Sequence, residues 1–173
     1  RTQIARVSQE LISEAVEREL RRGGQVFFVH NRVETIGEIA GYLQRFLPSA
    51  RIGIAHGQMS AQKLERVMLA FMHREYDILV CTAIIESGLD IPNANTILIH
   101  RADMFGLSQL YQLRGRVGRS QQRAYCYLML PEEGAVTEDA KKRLEVIQRF
   151  VELGSGFKIA SHDLELRGGG DVL

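Results

Sequence analysis

Hydrophobic residues follow two kinds of spacing along the chain, and the two kinds alternate. Short, mainly apolar runs, which are typical of strands inside a sheet, lie at 25–30, 51–55, 77–81, 96–100 and 124–130. Apolar residues three or four positions apart, which are typical of helices, lie at 8–22, 33–47, 107–113 and in a segment that begins near residue 60. Strands that alternate with helices predict an α/β fold in which helices flank a parallel sheet.

Several polar residues directly follow the predicted strands. Right-handed crossovers between parallel strands gather the loops after the carboxyl ends along one edge of the sheet, where ligands bind in open α/β folds. The residues expected at this edge are His30, Asn31, Arg32, His56, Gly57, Thr82 and Arg101. The sequence therefore predicts one edge that carries the binding residues, although His100 and Arg101 also have a simpler interpretation as solvated residues at a strand end.

Beyond Pro131 the chain becomes more charged and its spacing is helical. Thr137 is predicted to cap a helix that runs to about residue 153, and Gly154-Ser155-Gly156 then breaks the pattern. A second short helix is predicted over 157–166, so that the two helices form a hairpin.

The predicted division of the chain follows from this change of character. We expect a sheet domain over 1–131, entered through the helix at 8–22, and a helical hairpin over 132–173. Because the chain begins at Arg1 rather than Met and ends in a glycine-rich stretch, we expect it to be part of a larger protein.

Charge and cysteine content narrow the classes of partner. The formal net charge is only +1, so a nucleic-acid site must be a local patch rather than a global basic field. Cys81 and Cys126 each lie inside an apolar run, without the spacing of a zinc site or a disulfide framework, which favours a reducing cytoplasm and no metal site. The sequence contains no signal peptide and no apolar run long enough to span a bilayer.

The most unusual segment is 109–119, called here the arginine stretch. It contains Arg114, Arg116 and Arg119, and no acidic residue lies between Asp103 and Glu132. Guanidinium groups bind phosphate through a planar fork, and glycines among them let a ligand approach the backbone. The arginine stretch therefore indicates a phosphate site, with a basic surface helix as the alternative.

The segment 82–92 follows a buried strand and carries Thr82, Gly88 and Asp90. A hydroxyl, a glycine turn and a carboxylate in this order suit contacts with a phosphate, a nucleotide and a ribose or water. The alternative is an ordinary connection between a strand and a helix, in which Asp90 caps a turn. The chain has no Gly-x-x-x-x-Gly-Lys-Ser/Thr loop and no Asp-Glu pair after a buried strand, so arginines that act on ATP must reach into a site built mostly by another domain.

Three motifs in order identify a family. Motif VI of superfamily-two helicases and translocases resembles Gln112-x-x-Gly115-Arg116-x-Gly118-Arg119 of this chain. Their motif V resembles the segment 82–92, and their motif IV is similar to Val29-His30-Asn31-Arg32. The resemblance covers about residues 25–130 and is to the second RecA-like motor domain. It implies a RecA-like fold and ATP-dependent movement on nucleic acid.

Two branches of that superfamily share further features with this chain. Two parts of the chain resemble both the transcription-repair coupling factors and the RecG branch-migration translocases. One is the run from Gly106 to Arg119, and the other is the run from Asp163 to Gly168 with the hairpin before it. The segments His56-Gly57-Gln58-Met59 and Ile84-Ile85-Glu86 look closer to the transcription-repair coupling factors. The RecG-like activity stays the alternative.

The resemblance also implies roles for single residues, which we state as expectations. Arg116 and Arg119 contact the γ-phosphate of ATP and Gln112 sets their geometry, while Mg²⁺ is held mainly by a first RecA-like domain. The expected nucleotide contacts also include Gly88, Asp90 and Gly115. The expected contacts with the DNA backbone are Asn31, Arg32, His56, Gly57 and Thr82. Arg167 is expected to couple hydrolysis to movement. Arg114 and Arg123 are expected to be packing or surface charges.

The implied partners are double-stranded DNA and the first RecA-like domain of the same protein, with RNA polymerase and excision-repair proteins bound through other regions, in a bacterial cytoplasm. A different class of function also remains open, namely a nucleic-acid-binding module that does not hydrolyse ATP. For the isolated chain we expect no ATP hydrolysis and only weak, salt-sensitive DNA binding.

Overall fold

The computed structural model of the chain describes residues 1–82, 91–118 and 121–152. These residues contain six strands and five α-helices, with short 3-10 turns at Val33–Thr35 and Ala102–Met104. In chain order the elements are β1 (Thr2–Arg6), α1 (Gln9–Arg21), β2 (Gln25–Val29), α2 (Ile36–Phe46), β3 (Ile52–Ala55), α3 (Ala61–Met72), β4 (Ile78–Cys81), β5 (Ala94–His100), α4 (Leu107–Arg114), β6 (Tyr125–Leu130) and α5 (Glu138–Glu152).

The six strands form one sheet in the order β1-β6-β5-β2-β4-β3, and every neighbouring pair is parallel. All strands therefore end at the same edge, called here the carboxyl edge, and begin at the opposite amino edge. The predicted α/β fold with a parallel sheet is confirmed. Helices cover both faces of the sheet, as the buried character of its central strands requires.

The core consists of two buried layers, one on each face of the sheet. On one face α1 and α2 pack against alternate strand residues, with Ile12 and Leu43 against Phe28. On the other face α3, α4 and α5 cover the remaining residues of the same strands, with Phe71 and Ile147 in that layer. Each fully buried Phe or Leu side chain contributes roughly 1.5–3 kcal/mol of transfer free energy, so these layers fix the positions of the strand ends.

Three helices begin at the hydroxyl residues from which the sequence predicts them to start. The hydroxyl oxygens of Ser8, Ser60 and Thr137 accept hydrogen bonds from backbone N–H groups three residues later, at 3.0, 3.2 and 3.1 Å. Each such cap contributes about 1 kcal/mol, because it satisfies a donor that the helix itself leaves unpaired.

Two features differ from the prediction. The sequence pattern predicts no strand before α1, yet β1 forms an edge strand in parallel register with β6. It lacks an apolar run because an edge strand is covered less completely than a central one, and two of its five residues are exposed. The helix predicted over 33–47 begins as the 3-10 turn Val33–Thr35 and becomes α-helical only at Ile36.

The first helix of the predicted hairpin is α5. Leu144 and Ile147 on α5 belong to the same buried layer as α3 and α4. The second helix of the hairpin, predicted over 157–166, lies outside the described residues. Among the described residues, no helix is both long enough and apolar enough to cross a membrane.

Candidate functional site

A polar pocket lies at the carboxyl edge, where β2 and β5 end side by side. Its volume is about 370 Å³, and it is lined by His30, Asn31, Arg32, His100, Arg101, Met104 and Phe105. Asn31 and Arg32 follow β2 and are exposed, and Arg101 follows β5. In the described part of the chain Arg32 has no ion-pair partner, so its positive charge is available to an anion.

Two histidines in the lining form a neutral pair. Nδ1 of His30 lies 3.0 Å from Nδ1 of His100, and Nε2 of His30 lies 2.6 Å from the hydroxyl of Thr35. Burial lowers the pKa of His30, and the charge of Arg32 lowers it further. Burial also lowers the pKa of His100 to about 4, with smaller contributions in the same direction from His30 and Arg101. Both rings are therefore uncharged at neutral pH, and one Nδ1 donates to the other.

The turn after β5 is held by charged hydrogen bonds. Arg101 has the left-handed conformation φ 55°, ψ 52°, and its guanidinium donates to both carboxylate oxygens of the buried Asp103 at 3.0 and 2.9 Å. This pairing raises the pKa of Arg101. From α5, Arg143 donates to the carbonyl oxygens of Asp103 and Phe105 at 3.1 and 3.2 Å. The pocket wall is thus fixed from two sides.

A second group of candidates lies at the ends of β3 and β4. The backbone N–H of Thr82 donates to the carbonyl of Ala55 at 3.2 Å, which places Thr82 beside the turn that carries His56 and Gly57. Nδ1 of His56 accepts from the N–H of Gln58 at 3.2 Å. The hydroxyl of Thr82 is buried and has no hydrogen-bond partner among residues 1–82, 91–118 and 121–152.

The arginine stretch starts on α4 and leaves the helix at Gly115. Gln112 and Gly115 are exposed and Arg116 is half-buried. The side chain of Val117 is buried in the layer below α4, and Gly118 follows with φ +85°, a conformation that favours glycine.

Two arginines of the stretch contact different parts of the fold. Arg114 donates to the hydroxyl of Thr2 on β1 at 3.2 Å, a contact within the fold. Burial raises the pKa of the Cys81 thiol, and the positive charge of Arg116 opposes that rise.

The structure places the predicted residues of the strand ends in two groups at the carboxyl edge, whereas the arginine stretch reaches the amino edge at Gly118, whose N–H donates to Asn95. Asn31 and Arg32 share a pocket, whereas His56, Gly57 and Thr82 lie at neighbouring strand ends outside its lining. The remaining predicted site residues, Gly88, Asp90, Arg119 and Arg167, lie outside the described residues. No three His, Cys, Asp or Glu side chains within the described ranges are grouped to hold a metal ion.

His100 and Arg101 line the pocket together with Asn31 and Arg32. This shared position is not evident from the sequence pattern, in which His100 and Arg101 only end a strand. The signal that identifies them is the adjacency of β5 and β2 in the sheet, because it brings the residues after both strands to one place. A single sequence does not reveal this strand order.

Comparison with known proteins agrees with this geometry. The sequence profile of the helicase conserved C-terminal domain matches residues 4–121. The chain belongs to the helicase conserved C-terminal domain family. Its parallel sheet with flanking helices is the RecA-like fold of that family, and the resemblance drawn from motifs IV, V and VI is confirmed.

Two curated relatives of this helicase C-terminal domain are transcription-repair-coupling factors. The relative from Myxococcus xanthus is 59% identical over 173 residues, which is 100% of this chain and 14% of the relative. The relative from Staphylococcus epidermidis is 54% identical over 172 residues, or 99% of this chain and 15% of the relative. The chain therefore spans about one seventh of the length of these relatives.

A solved structure of RecG bound to a three-way DNA junction is also similar. Its TM-score is 0.79 with 40% sequence identity, and the match covers 100% of this helicase C-terminal domain and 23% of the RecG chain. Both branches expected from the sequence are therefore found among its relatives. The identity is higher to the transcription-repair-coupling factors than to RecG.

Proposed function

We propose that this chain is the C-terminal motor domain of an ATP-dependent translocase on double-stranded DNA. We further propose that the whole protein is a transcription-repair coupling factor, which displaces stalled RNA polymerase and promotes nucleotide excision repair. Identity of 59% along the full 173 residues to such a factor supports this assignment. The observation that carries it is that the helicase conserved C-terminal domain profile matches residues 4–121, which include the whole arginine stretch.

The proposed nucleotide site is shared between two domains. Phosphoryl transfer depends mainly on positioning and on neutralising charge around the transferred group. Arg116 and Arg119 supply positive charge to the γ-phosphate of ATP, and Gln112 orients them. The backbone at Gly88 and Gly115 allows close approach of the nucleotide, and Asp90 contacts it from the other segment.

The first RecA-like domain of the same protein completes the proposed site. It supplies the phosphate-binding loop and most of the ligands of Mg²⁺, which neutralises phosphate charge when it is bound. The described residues assigned to the nucleotide site fit that division, because Gln112, Gly115 and Arg116 carry no carboxylate that would hold Mg²⁺.

The proposed DNA contacts lie along the carboxyl edge. Asn31 and Arg32 contact a backbone phosphate at the pocket, and His56, Gly57 and Thr82 contact a neighbouring one. Exposed amide, guanidinium and backbone groups recognise phosphates without reading bases, so binding is independent of sequence and sensitive to salt. The lack of an ion pair for Arg32 in the described part of the chain supports its place in this group.

The proposed movement arises from closure of the cleft between the two motor domains when ATP binds and from its reopening after hydrolysis. Each domain grips the DNA backbone in turn, and Arg167 couples the nucleotide state to movement. RNA polymerase and excision-repair proteins bind through regions outside this chain, and the protein acts in the bacterial cytoplasm.

The experiment uses the full-length protein that carries this chain. ATP hydrolysis stimulated by duplex DNA, together with displacement of a stalled RNA polymerase, is the expected result. The 173-residue chain alone should show no ATP turnover and weak binding to duplex DNA that is lost as salt rises. Robust ATP turnover by the isolated chain, or a full-length protein whose hydrolysis ignores DNA, would contradict the proposal.

The RecG likeness favours one alternative function, branch migration at DNA junctions. The two functions differ in substrate, since one acts on a stalled polymerase on linear duplex DNA and the other on a branched DNA. Unwinding of a three-way junction by the full-length protein without displacement of polymerase would favour the alternative.

A further inference from the structure

Asn95 lies at the start of β5, on the amino edge, and its side chain joins two separate segments. It is only 2% exposed. Its Nδ2 donates to the carbonyl oxygen of Pro92 at 2.9 Å, and its Oδ1 accepts a longer hydrogen bond from the backbone N–H of Gly118 at 3.4 Å. One buried amide therefore uses its donor and its acceptor on different loops.

Both loops belong to the proposed nucleotide site. Pro92 ends the segment 82–92, which carries Gly88 and Asp90, and Gly118 lies between Arg116 and Arg119 in the arginine stretch. The backbone at Gly118 turns with φ +85°, directly after the buried Val117. A displacement at Gly118 therefore shifts the backbone that carries Arg116.

A second contact holds the far end of the same loop. Nη2 of Arg22 donates to the carbonyl oxygen of Arg123 at 2.5 Å, and the Arg22 guanidinium also donates to the carboxylate of Glu19 at 2.6 and 2.7 Å. Glu19 is buried and accepts from the hydroxyl of Thr96 at 2.5 Å. Asn95 thus holds one end of the loop, at Gly118, to the amino edge directly. Thr96, the next residue, holds the other end, at Arg123, through Glu19 and Arg22.

We propose that Asn95 is a positioning residue for ATP hydrolysis, which acts by holding Gly118 of the arginine stretch beside Pro92. This inference rests on the proposed function, because it assigns the alignment of Arg116 and Arg119 to a residue that does not touch the nucleotide. An amide is required, since it donates to Pro92 and accepts from Gly118 at the same time. Aspartate at neutral pH keeps the acceptor and loses the donor, and leucine of similar volume loses both.

The test measures kcat and KM for ATP in the full-length protein at saturating duplex DNA. Asn95→Leu and Asn95→Asp should lower kcat by about tenfold or more with little change in KM, because misaligned arginines lose charge stabilisation that is made in the transition state. Affinity for duplex DNA should stay unchanged. Asn93→Ala is the matched control with wild-type kcat, since the side chain of Asn93 makes no hydrogen bond in the described part of the chain.

A double variant separates positioning from general stability. In an Arg116→Ala background, Asn95→Leu should cause little further loss of kcat, because the residue that it positions is already absent. Asn95→Asp keeps the test decisive where Asn95→Leu does not fold. If both Asn95 variants keep wild-type kcat while Arg116→Ala is inactive, the positioning role of Asn95 is overturned and the role of the arginine stretch is not. Parallel losses of kcat, DNA affinity and thermal stability in the Asn95 variants would also overturn the positioning role. Wild-type turnover in Arg116→Ala would instead overturn the proposed role of the arginine stretch.

Discussion

The Nδ1 atoms of His30 and His100 lie 3.0 Å apart in the pocket at the carboxyl edge. The rings stack with centroids 5.2 Å apart, and they are surrounded by groups of both signs. The charges of Arg32 and Arg101 disfavour protonation of the pair, whereas Asp103 favours protonation of His100. Burial is the largest effect on both rings, so the folded state holds two neutral imidazoles next to a binding pocket.

This pair predicts that the chain loses stability in acid. Both folded-state pKa values lie below the ordinary value of 6.5, that of His100 at about 4. The unfolded chain therefore takes up protons first, and stability that is fully present above pH 6.5 is lost as the pH falls toward about 4. We expect the free energy of unfolding to be roughly 1–2 kcal/mol lower at pH 5 than at pH 7 from this source, measured by urea unfolding.

The control for this prediction is His100→Asn, which keeps a polar side chain and removes one titrating group. Its unfolding free energy should vary less between pH 7 and pH 5 than that of the wild type. An identical pH dependence in the variant and the wild type would show that His100 is not the source.

Arg32 predicts the salt dependence of DNA binding. Its guanidinium is exposed at the pocket and has no ion-pair partner in the described part of the chain. Arg32→Ala in the full-length protein should weaken duplex binding equally for all sequences and reduce the slope of log K against log salt by about one. The matched control is Arg51→Ala, because Arg51 precedes β3 at the amino edge and pairs with Asp77 at 3.1 Å. An unchanged slope in Arg32→Ala would remove Arg32 from the DNA contacts.

Gly118 predicts a local conformational requirement inside the arginine stretch. Its φ of +85° costs a residue with a side chain about 1–2 kcal/mol, and an added Cβ would lie 3.2 Å from Cβ of Ala124. Gly118→Ala should therefore lower the free energy of unfolding by about that amount. Gly41→Ala is the control, because Gly41 is inside α2 with no atom within 4 Å of the added Cβ, so the substitution should stabilise the helix. Equal unfolding midpoints for Gly118→Ala and the wild type would contradict the prediction.

Arg167 carries the proposed coupling of hydrolysis to movement. Arg167→Ala in the full-length protein should keep most of the ATP hydrolysis that duplex DNA stimulates and should abolish displacement of a stalled polymerase. Both activities are measured on the same preparation. Loss of hydrolysis to the same extent as displacement would place Arg167 in the nucleotide site or in the fold instead.

The sequence pattern predicts five of the six described strands, the edge strand β3 among them, and misses the edge strand β1. β2 is recognised because all of its residues are buried and residues 26–29 form an uninterrupted apolar run. β1 is not recognised, because an edge strand receives a neighbour on one side only and tolerates Gln3 and Arg6. Local patterns report burial, and burial is weakest where the sheet ends.

The same limit applies to the candidate site. Asn31 and Arg32 are predicted from a motif that lies in one short segment. Arg101 joins them only because β5 lies beside β2, and Gly118 meets Asn95 only because the arginine stretch descends to the amino edge. Such pairings depend on strand order and on long-range packing, which no single stretch of sequence encodes.

ATP hydrolysis by the full-length protein with Arg116→Ala tests the central claim most directly. Removal of a charge that stabilises a phosphoryl-transfer transition state lowers kcat by about 10³-fold or more. Arg123→Ala, an exposed arginine near the same loop, is the matched control. We predict that Arg116→Ala abolishes DNA-stimulated hydrolysis with an unchanged melting temperature while Arg123→Ala keeps wild-type turnover. Wild-type turnover in Arg116→Ala would contradict the account.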